Sequence, residues 1–289
     1  MKTRIAIPSA IAILLGALAL PACAFDFGNL DDIKGALQKA QKVGQEVKTA
    51  TGNIPEPKEI EMGDGVASNL LGAAPLLRNA AVQKYVNDVG RWLALQTERP
   101  DLPWEFGVLD DNDVNAFAAP GGRVFITKGL LMQMKNEAEL AGVLAHEISH
   151  VLRKHHLNAI KKGARTDLMV EFLNEATKDK GSNKNLLKLA NAGTELYARG
   201  LDKDDEFEAD RMGVVIAARA GYDPYGLPAV LQTLETLNPK DSKLALMFKT
   251  HPALADRLNL LDKEMSGHFE QFQDQPDLTA RFDSVMKAK

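Results

Sequence analysis

The segment His146-Glu147-Ile148-Ser149-His150 carries the strongest chemical content of the chain. Four residues of α-helix turn through roughly 400°, so the two histidines lie about 40° apart on one face and about 6 Å apart along the axis. Both imidazoles can therefore reach one metal ion. Two neutral nitrogens plus one oxygen suit zinc and leave a fourth tetrahedral position for water. Glu147, next to the first histidine, is placed to take that water's proton without binding the ion. Shuffling the chain's 6 His and 17 Glu among 289 residues produces the pattern roughly 0.007 times. The competing explanation is a surface helix that happens to carry two histidines. Against it, Glu147 and His150 sit among Ala145, Ile148, Val151 and Leu152, where an unpaired buried charge costs several kcal/mol.

A third ligand has to come from elsewhere. Asp204-Asp205-Glu206-Phe207-Glu208-Ala209-Asp210 opens a helical stretch, and Glu206 and Asp210 share a face at i, i+4. Glu206 can bind the ion while Asp210 accepts the second ring N–H of a ligand histidine and sets its tautomer. An acidic first turn favoured by the helix dipole explains the same residues, and spacing alone leaves the two open. Glu208, two residues on, is expected in solvent. His155 and His156 are rotated about 140° and 240° from His150 if the helix continues, so neither is assigned to the metal and both are expected to be exposed.

The elements that must position these groups follow from periodicity. Val82, Tyr85, Val86, Val89, Trp92 and Leu93 recur at helical spacing and predict a helix with one buried face, ending before Arg99-Pro100. From Trp104 the period shortens. Trp104, Phe106 and Val108 alternate, a second extended segment runs from Ala116 to Ala118, and Pro120-Gly121-Gly122 turns into Arg123 to Thr127, which together predict a small sheet. Leu140, Val143, Leu144, Ile148, Val151 and Leu152 place one helix from about Glu137 to His156. Two further helical stretches flank the polar run 178–183, another helix spans about Asp204 to Ala220 before Gly221, and Leu254, Leu258 and Leu261 mark a last one after His251-Pro252.

Composition excludes several classes. With 45% hydrophobic and 26% charged residues the chain falls in the globular range. A net charge of −4 provides no basic excess for nucleic acid or for an anionic lipid surface. Lys2 and Arg4, the apolar run Ile5 to Leu20 and the small residues of Ala22-Cys23-Ala24 read as an export signal over 1–24. That run is shorter than the roughly 20 residues that span a bilayer, so the mature chain is expected to lack a transmembrane helix. Leu20-Pro21-Ala22-Cys23 also resembles a lipobox, which would make 1–22 a lipoprotein signal and Cys23 a possible outer-membrane lipid anchor. Cys23 is the sole cysteine, which removes disulfides and thiolate catalysis from the folded domain. Residues 25–60 are read as an N-terminal arm with an amphipathic helix around Leu30 to Val47 and a linker at Ile54-Pro55-Glu56-Pro57. Residues 61–265 are expected to form the main, metal-binding domain, and 266–289 a C-terminal tail.

The sequence HEISH, then EFEAD, then Thr250-His251-Pro252 with Arg257, together with Asp113-Val114-Asn115-Ala116-Phe117-Ala118-Ala119-Pro120-Gly121-Gly122 upstream, resembles the gluzincin zinc metallopeptidases of the HtpX and CAAX prenyl protease type, in particular their soluble periplasmic BepA/LoiP-like branch. The matching segments cover about residues 60 to 265. The resemblance implies that His146, His150 and Glu206 bind one Zn2+, that Glu147 is the general base and that Asp210 supports a ligand. It implies a loop on which His251 can approach the metal as a switch, and an Arg257 near the substrate cleft, either of which would steady the oxyanion. Read from sequence alone, His251 instead caps a helix with Pro252 at N1. Asn115, Ala116, Phe117 and Ala118 correspond to an edge strand that would bind substrate backbone by strand addition, or else are simply a core strand. Asp202-Lys203 departs from the Ser-Arg of many members.

The expected fold is α+β and mainly α, a zincin-like peptidase with a small antiparallel sheet packed on the HExxH helix. The expected function is a zinc endopeptidase, exported to the periplasm, that cleaves unfolded or misfolded envelope proteins in quality control. The alternative is a latent or inactive zinc-stabilised chaperone or assembly factor for outer-membrane proteins.

Overall fold

The computed structural model describes residues 54–160, 162, 201–238, 240–272 and 274–287. The expected export signal, Cys23, and the helices expected within 30–47 and around 178–183 fall outside the described residues. Among those described, no helix is long and apolar enough to cross a membrane.

The segment read as a linker is the start of a helix. Pro55 is the N-cap of α1 (Glu56–Ala73) with a second proline in the first turn, where the missing N–H costs nothing. Its Glu59 is 1% exposed, 2.9 Å from both Arg99 and Lys154. Burial would raise the carboxyl pKa, and the two cations outweigh it and lower it below the ordinary value of 4.5. A depressed carboxylate stabilises the fold above its unfolded pKa, and that contribution disappears as pH falls through the folded value. Stability to urea should therefore drop less between pH 6 and pH 3 in Glu59→Gln than in the parent; equal drops would show that this pair does not hold α1 to the body.

Helix α2 (Ala80–Ala94) is capped by Asn79, whose side chain accepts from Val82 N, and buries Val82, Val86, Val89 and Leu93. Strands β1 (Glu105–Leu109), β2 (Ala116–Ala119) and β3 (Arg123–Thr127) form a sheet of order β1-β3-β2. The sheet is mixed where an antiparallel one was expected: β2 pairs antiparallel with β3, Phe117 opposite Phe125, while β1 runs parallel to β3, Phe106 opposite Val124. Gly121 and Gly122 at φ 77° and 99° close the β2–β3 turn, a region favouring glycine. Residues 110–115 carry the chain across β3, so the hairpin returns through the middle of the sheet.

Helix α3 (Lys128–Leu131) leads to α4 (Glu137–Leu152), every residue of which is buried. A helix buried on every side lies at the centre of the core, and α4 packs against α2, the sheet, α5 (Lys203–Arg219) and α6 (Gly226–Glu235). Gly213 permits the close approach of α5 to α4, since a methyl there would lie 3.0 Å from His146 N. After α6 come α7 (Ala245–Thr250) and α8 (Leu254–Met265). The residues read as a tail include α9 (Thr279–Met286), whose Phe282 is 3% exposed and whose Arg281 pairs with buried Glu137 at the start of α4. That pairing and the apolar contact tie residues 279–286 to the core.

Helix α4 is four residues shorter than its apolar spacing predicts. Arg153 and Lys154 form a turn, Lys154 adopts φ 60°, and the chain is helical again over 155–160.

Candidate metal centre

The periodicity of α4 places His146 and His150 on one face, and their Nε2 atoms are 3.0 Å apart. Helix α5 brings Glu206 beside them, its carboxylate oxygens 3.7 Å from His146 Nε2 and 3.6 Å from His150 Nε2. His251 Nδ1 lies 3.1 Å from the same carboxylate. One donor atom from each of these four buried residues falls within 4.8 Å of the others. Tetrahedral ligands at zinc–nitrogen distances near 2.05 Å stand about 3.3 Å apart, so the spacing of the donors suits one small cation. Glu206 Oε1 is buried without a hydrogen-bond partner, which bound metal would satisfy. The first turn of α5 therefore carries a carboxylate that is 0% exposed and turned inward, beyond what the helix dipole alone requires.

Asp210, one turn after Glu206, has Oδ1 2.9 Å from His146 Nδ1. Arg257 on α8 grips Asp210 through Nε and Nη2 at 2.7 and 2.6 Å and reaches Glu206 through Nη1 at 3.0 Å. At 2% exposure its guanidinium is committed to these two carboxylates. The residue also lines the opening shared by Glu147 and His251.

His251 does not cap a helix ahead of Pro252. It ends α7, with its N–H donating to Met247 O, and Ala253 at φ 63° is the N-cap of α8. The resulting kink turns the imidazole inward, 3.9 Å from Glu147 Oε1.

The charges are strongly coupled to burial. Burial raises Glu147 above the ordinary carboxylate value, against the opposing pull of His251, His146 and Arg257. For Glu206 burial is again the largest influence, yet His251, Arg257 and His146 together overcome it and bring the carboxyl down to about 2. Asp210 is likewise lowered, by Arg257 and His146 against burial. Burial and the neighbouring imidazoles hold His150 well below the usual histidine range, so it is neutral and able to ligate.

Glu147 Oε2 and Asn115 Nδ2 are both buried without hydrogen-bond partners and line one opening with His146, His251 and Arg257. Asn115 directly precedes β2, where Ala116, Phe117 and Ala118 stand at the end of the strand order. The other wall is apolar, with Leu130, Val143, Leu227, Leu231, Leu234 and Leu254.

Three residues were misread from sequence. His155 is 4% exposed, with Nδ1 2.9 Å from His150 Nδ1, and Glu208 is 3.1 Å from His155 Nε2 instead of free in solvent. His156 is half-buried, its ring 5.4 Å from that of His150. The turn at Arg153 and Lys154 invalidates a rotation counted along one helix, and neither residue is a glycine or proline that would announce it.

Two histidines one turn apart and a carboxylate from a second helix make up the donor set of a metal-dependent hydrolase, and the uncommitted carboxylate between the histidines stands where its base would be. Residues 80–265 match the family Peptidase family M48. The chain belongs to peptidase family M48. It is 30% identical to the beta-barrel assembly-enhancing protease of Yersinia pestis over 234 residues, 77% of this chain and 47% of that protein. To the same-named protein of Escherichia coli K12 it is 31% identical over 206 residues, 70% of this chain and 42% of the relative. It is also 30% identical to metalloprotease LoiP of Escherichia coli K12 over 167 residues, 57% of this chain and 64% of LoiP. The matches thus span less than half the length of the first two relatives.

Proposed function

We propose that this chain is a zinc-dependent endopeptidase of the bacterial envelope that hydrolyses unfolded or misfolded envelope proteins. The observation that carries the proposal is the convergence of His146, His150 and Glu206 beside Glu147, whose Oε2 has no partner. Its relatives' names, a beta-barrel assembly-enhancing protease and a metalloprotease, support the activity and the envelope setting. Zinc held by the three ligands would supply Lewis acidity to the scissile carbonyl and the attacking water. Glu147 accepts the proton of that water and delivers it to the leaving amine nitrogen. Its raised pKa suits both transfers, because a carboxyl nearer neutrality holds and releases a proton with less imbalance. Asp210 keeps the His146 ring oriented, and Arg257 keeps Asp210 and Glu206 in place. An extended substrate segment lies in the opening, with Asn115 Nδ2 as a donor to its backbone. Compact folds cannot offer such a segment.

The apolar wall of the opening adds a preference. Incubated with a reduced, unfolded protein, the zinc-loaded chain should cut beside Leu, Met, Phe or Ile, and a chelator should stop it. Val143→Phe, which fills the wall next to His146, should lower cutting at these sites about 10-fold relative to sites with Ala. Cut positions mapped by mass spectrometry that are indifferent to side-chain size, in parent and variant alike, would refute the preference. Chelator-insensitive cutting would refute the metal mechanism.

His251 favours one further reading, a latent chain acting as a zinc-stabilised chaperone or assembly factor. Its Nδ1 is close enough to complete four protein donors, which closes the position water needs. A chain that holds zinc, binds unfolded protein and never cuts it would support this reading.

A further inference from the structure

The two histidines of α4 are oriented by different partners. Nδ1 of His146 faces a carboxylate, whereas Nδ1 of His150 faces Nδ1 of His155 at 2.9 Å. Two ring nitrogens at that distance share one proton, so one is a donor and the other bare. His155 Nε2 lies 3.1 Å from Glu208 Oε2 and 3.6 Å from Asp205 Oδ1. Both are acceptors, so Nε2 is the nitrogen of His155 placed to donate, and in the singly protonated ring this leaves Nδ1 bare toward His150. His150 must then donate from Nδ1, which leaves the lone pair of its Nε2 facing His146 and Glu206. Arg153 Nη2, 2.5 Å from Glu208 Oε1, holds the outer carboxylate.

We propose that His155, oriented by Glu208, is a positioning residue of the metal centre that selects the His150 tautomer able to bind the ion through Nε2. The proposal rests on the metal-site reading above and extends it to residues outside the HExxH and EFEAD ligand positions. His155 touches neither the ion nor substrate. It acts through His150, and helix α5 thereby contributes twice, through Glu206 at the ion and through Glu208 behind the histidine. A partner of this kind typically changes metal affinity 10- to 100-fold.

Zinc affinity of the full chain, measured by competition with a chromophoric chelator, tests the idea. His155→Leu should weaken zinc binding about 10- to 100-fold. His155→Gln, whose side-chain oxygen can accept the same proton, should recover most of the loss. If both variants bind zinc as tightly as the parent, or both are equally weak, the proposal is overturned, the second result marking a purely structural role. A separate readout does not depend on those variants folding. Long-range ¹H–¹⁵N spectra of the metal-free parent at neutral pH should place the His150 proton on Nδ1, and Glu208→Gln should reduce that preference. A His150 proton found on Nε2 would overturn the assignment. A parent that binds no zinc at all would instead remove the metal-site reading, whereas a zinc-binding parent with an unaffected Leu variant would remove the His155 role alone.

Discussion

Glu147→Gln should lower the rate of unfolded-protein cleavage by at least 10²- to 10⁴-fold, the usual contribution of a positioned general base, while one zinc ion per chain stays bound. The separation of the two effects follows from the geometry. Glu147 lies between the ligand histidines in sequence but contributes no atom to the four-donor cluster. Its Oε2 has no partner and its Oε1 is 3.9 Å from His251, so the amide removes proton acceptance without removing a ligand. The substitution also neutralises a buried carboxylate whose charge burial disfavours, so the variant should melt no lower than the parent. Initial cleavage rates, metal content after dialysis and thermal melting together decide the matter. Undiminished cleavage by a zinc-loaded variant would eliminate Glu147 as the base, and loss of zinc would make it a ligand.

Arg257→Met carries the largest expected cost in stability. The guanidinium is 2% exposed and spans two carboxylates, Asp210 and Glu206. Solvent cannot screen what remains when it is removed. Breaking a buried ion pair from one side typically costs about 3–5 kcal/mol, because the partner charge is left uncompensated. In a domain of this size each kcal/mol moves the melting temperature by about 2–4 °C, so a fall on the order of 10 °C is expected in the metal-free protein. Zinc should weaken as well, since Asp210 loses the group that aims it at His146. Neutralising the orphaned charge in Arg257→Met, Asp210→Asn should restore part of the stability but not the metal affinity. A melting temperature indistinguishable from the parent's for the single variant would show that these carboxylates are compensated some other way, and would end the claim that Arg257 braces the centre.

What could be read in advance divides along the range of the physical signal. Helix α2, the strands from Glu105 and Arg123, and the helix starting near Asp204 were legible because their signal is local: apolar side chains repeating with the period of one element. The HExxH pair was legible for the same reason, since a single turn of helix suffices to place both imidazoles. Glu206 and Asp210 were half-legible. Their common face followed from i, i+4 spacing, but whether that face met the histidines or the solvent depended on how α5 packs on α4, which Gly213 permits.

The strand order, the turn after α4 and the docking of α9 had no such local signature. A parallel β1–β3 pair depends on where residues 110–115 cross the sheet. Lys154 at φ 60° is a lysine in a conformation usually taken by glycine, held by its surroundings and not by its own preference. His155 and Glu208 consequently looked like surface residues. By itself the sequence determined that this chain carries a helix able to present two histidines and a base, because that depends only on the pitch of a helix. Glu206 arriving beside the histidines, Arg257 pairing with Asp210 and Glu206, and Glu208 reaching His155 were decided by tertiary packing alone, since contacts between residues about 50 apart in the chain are set by which helices share a core.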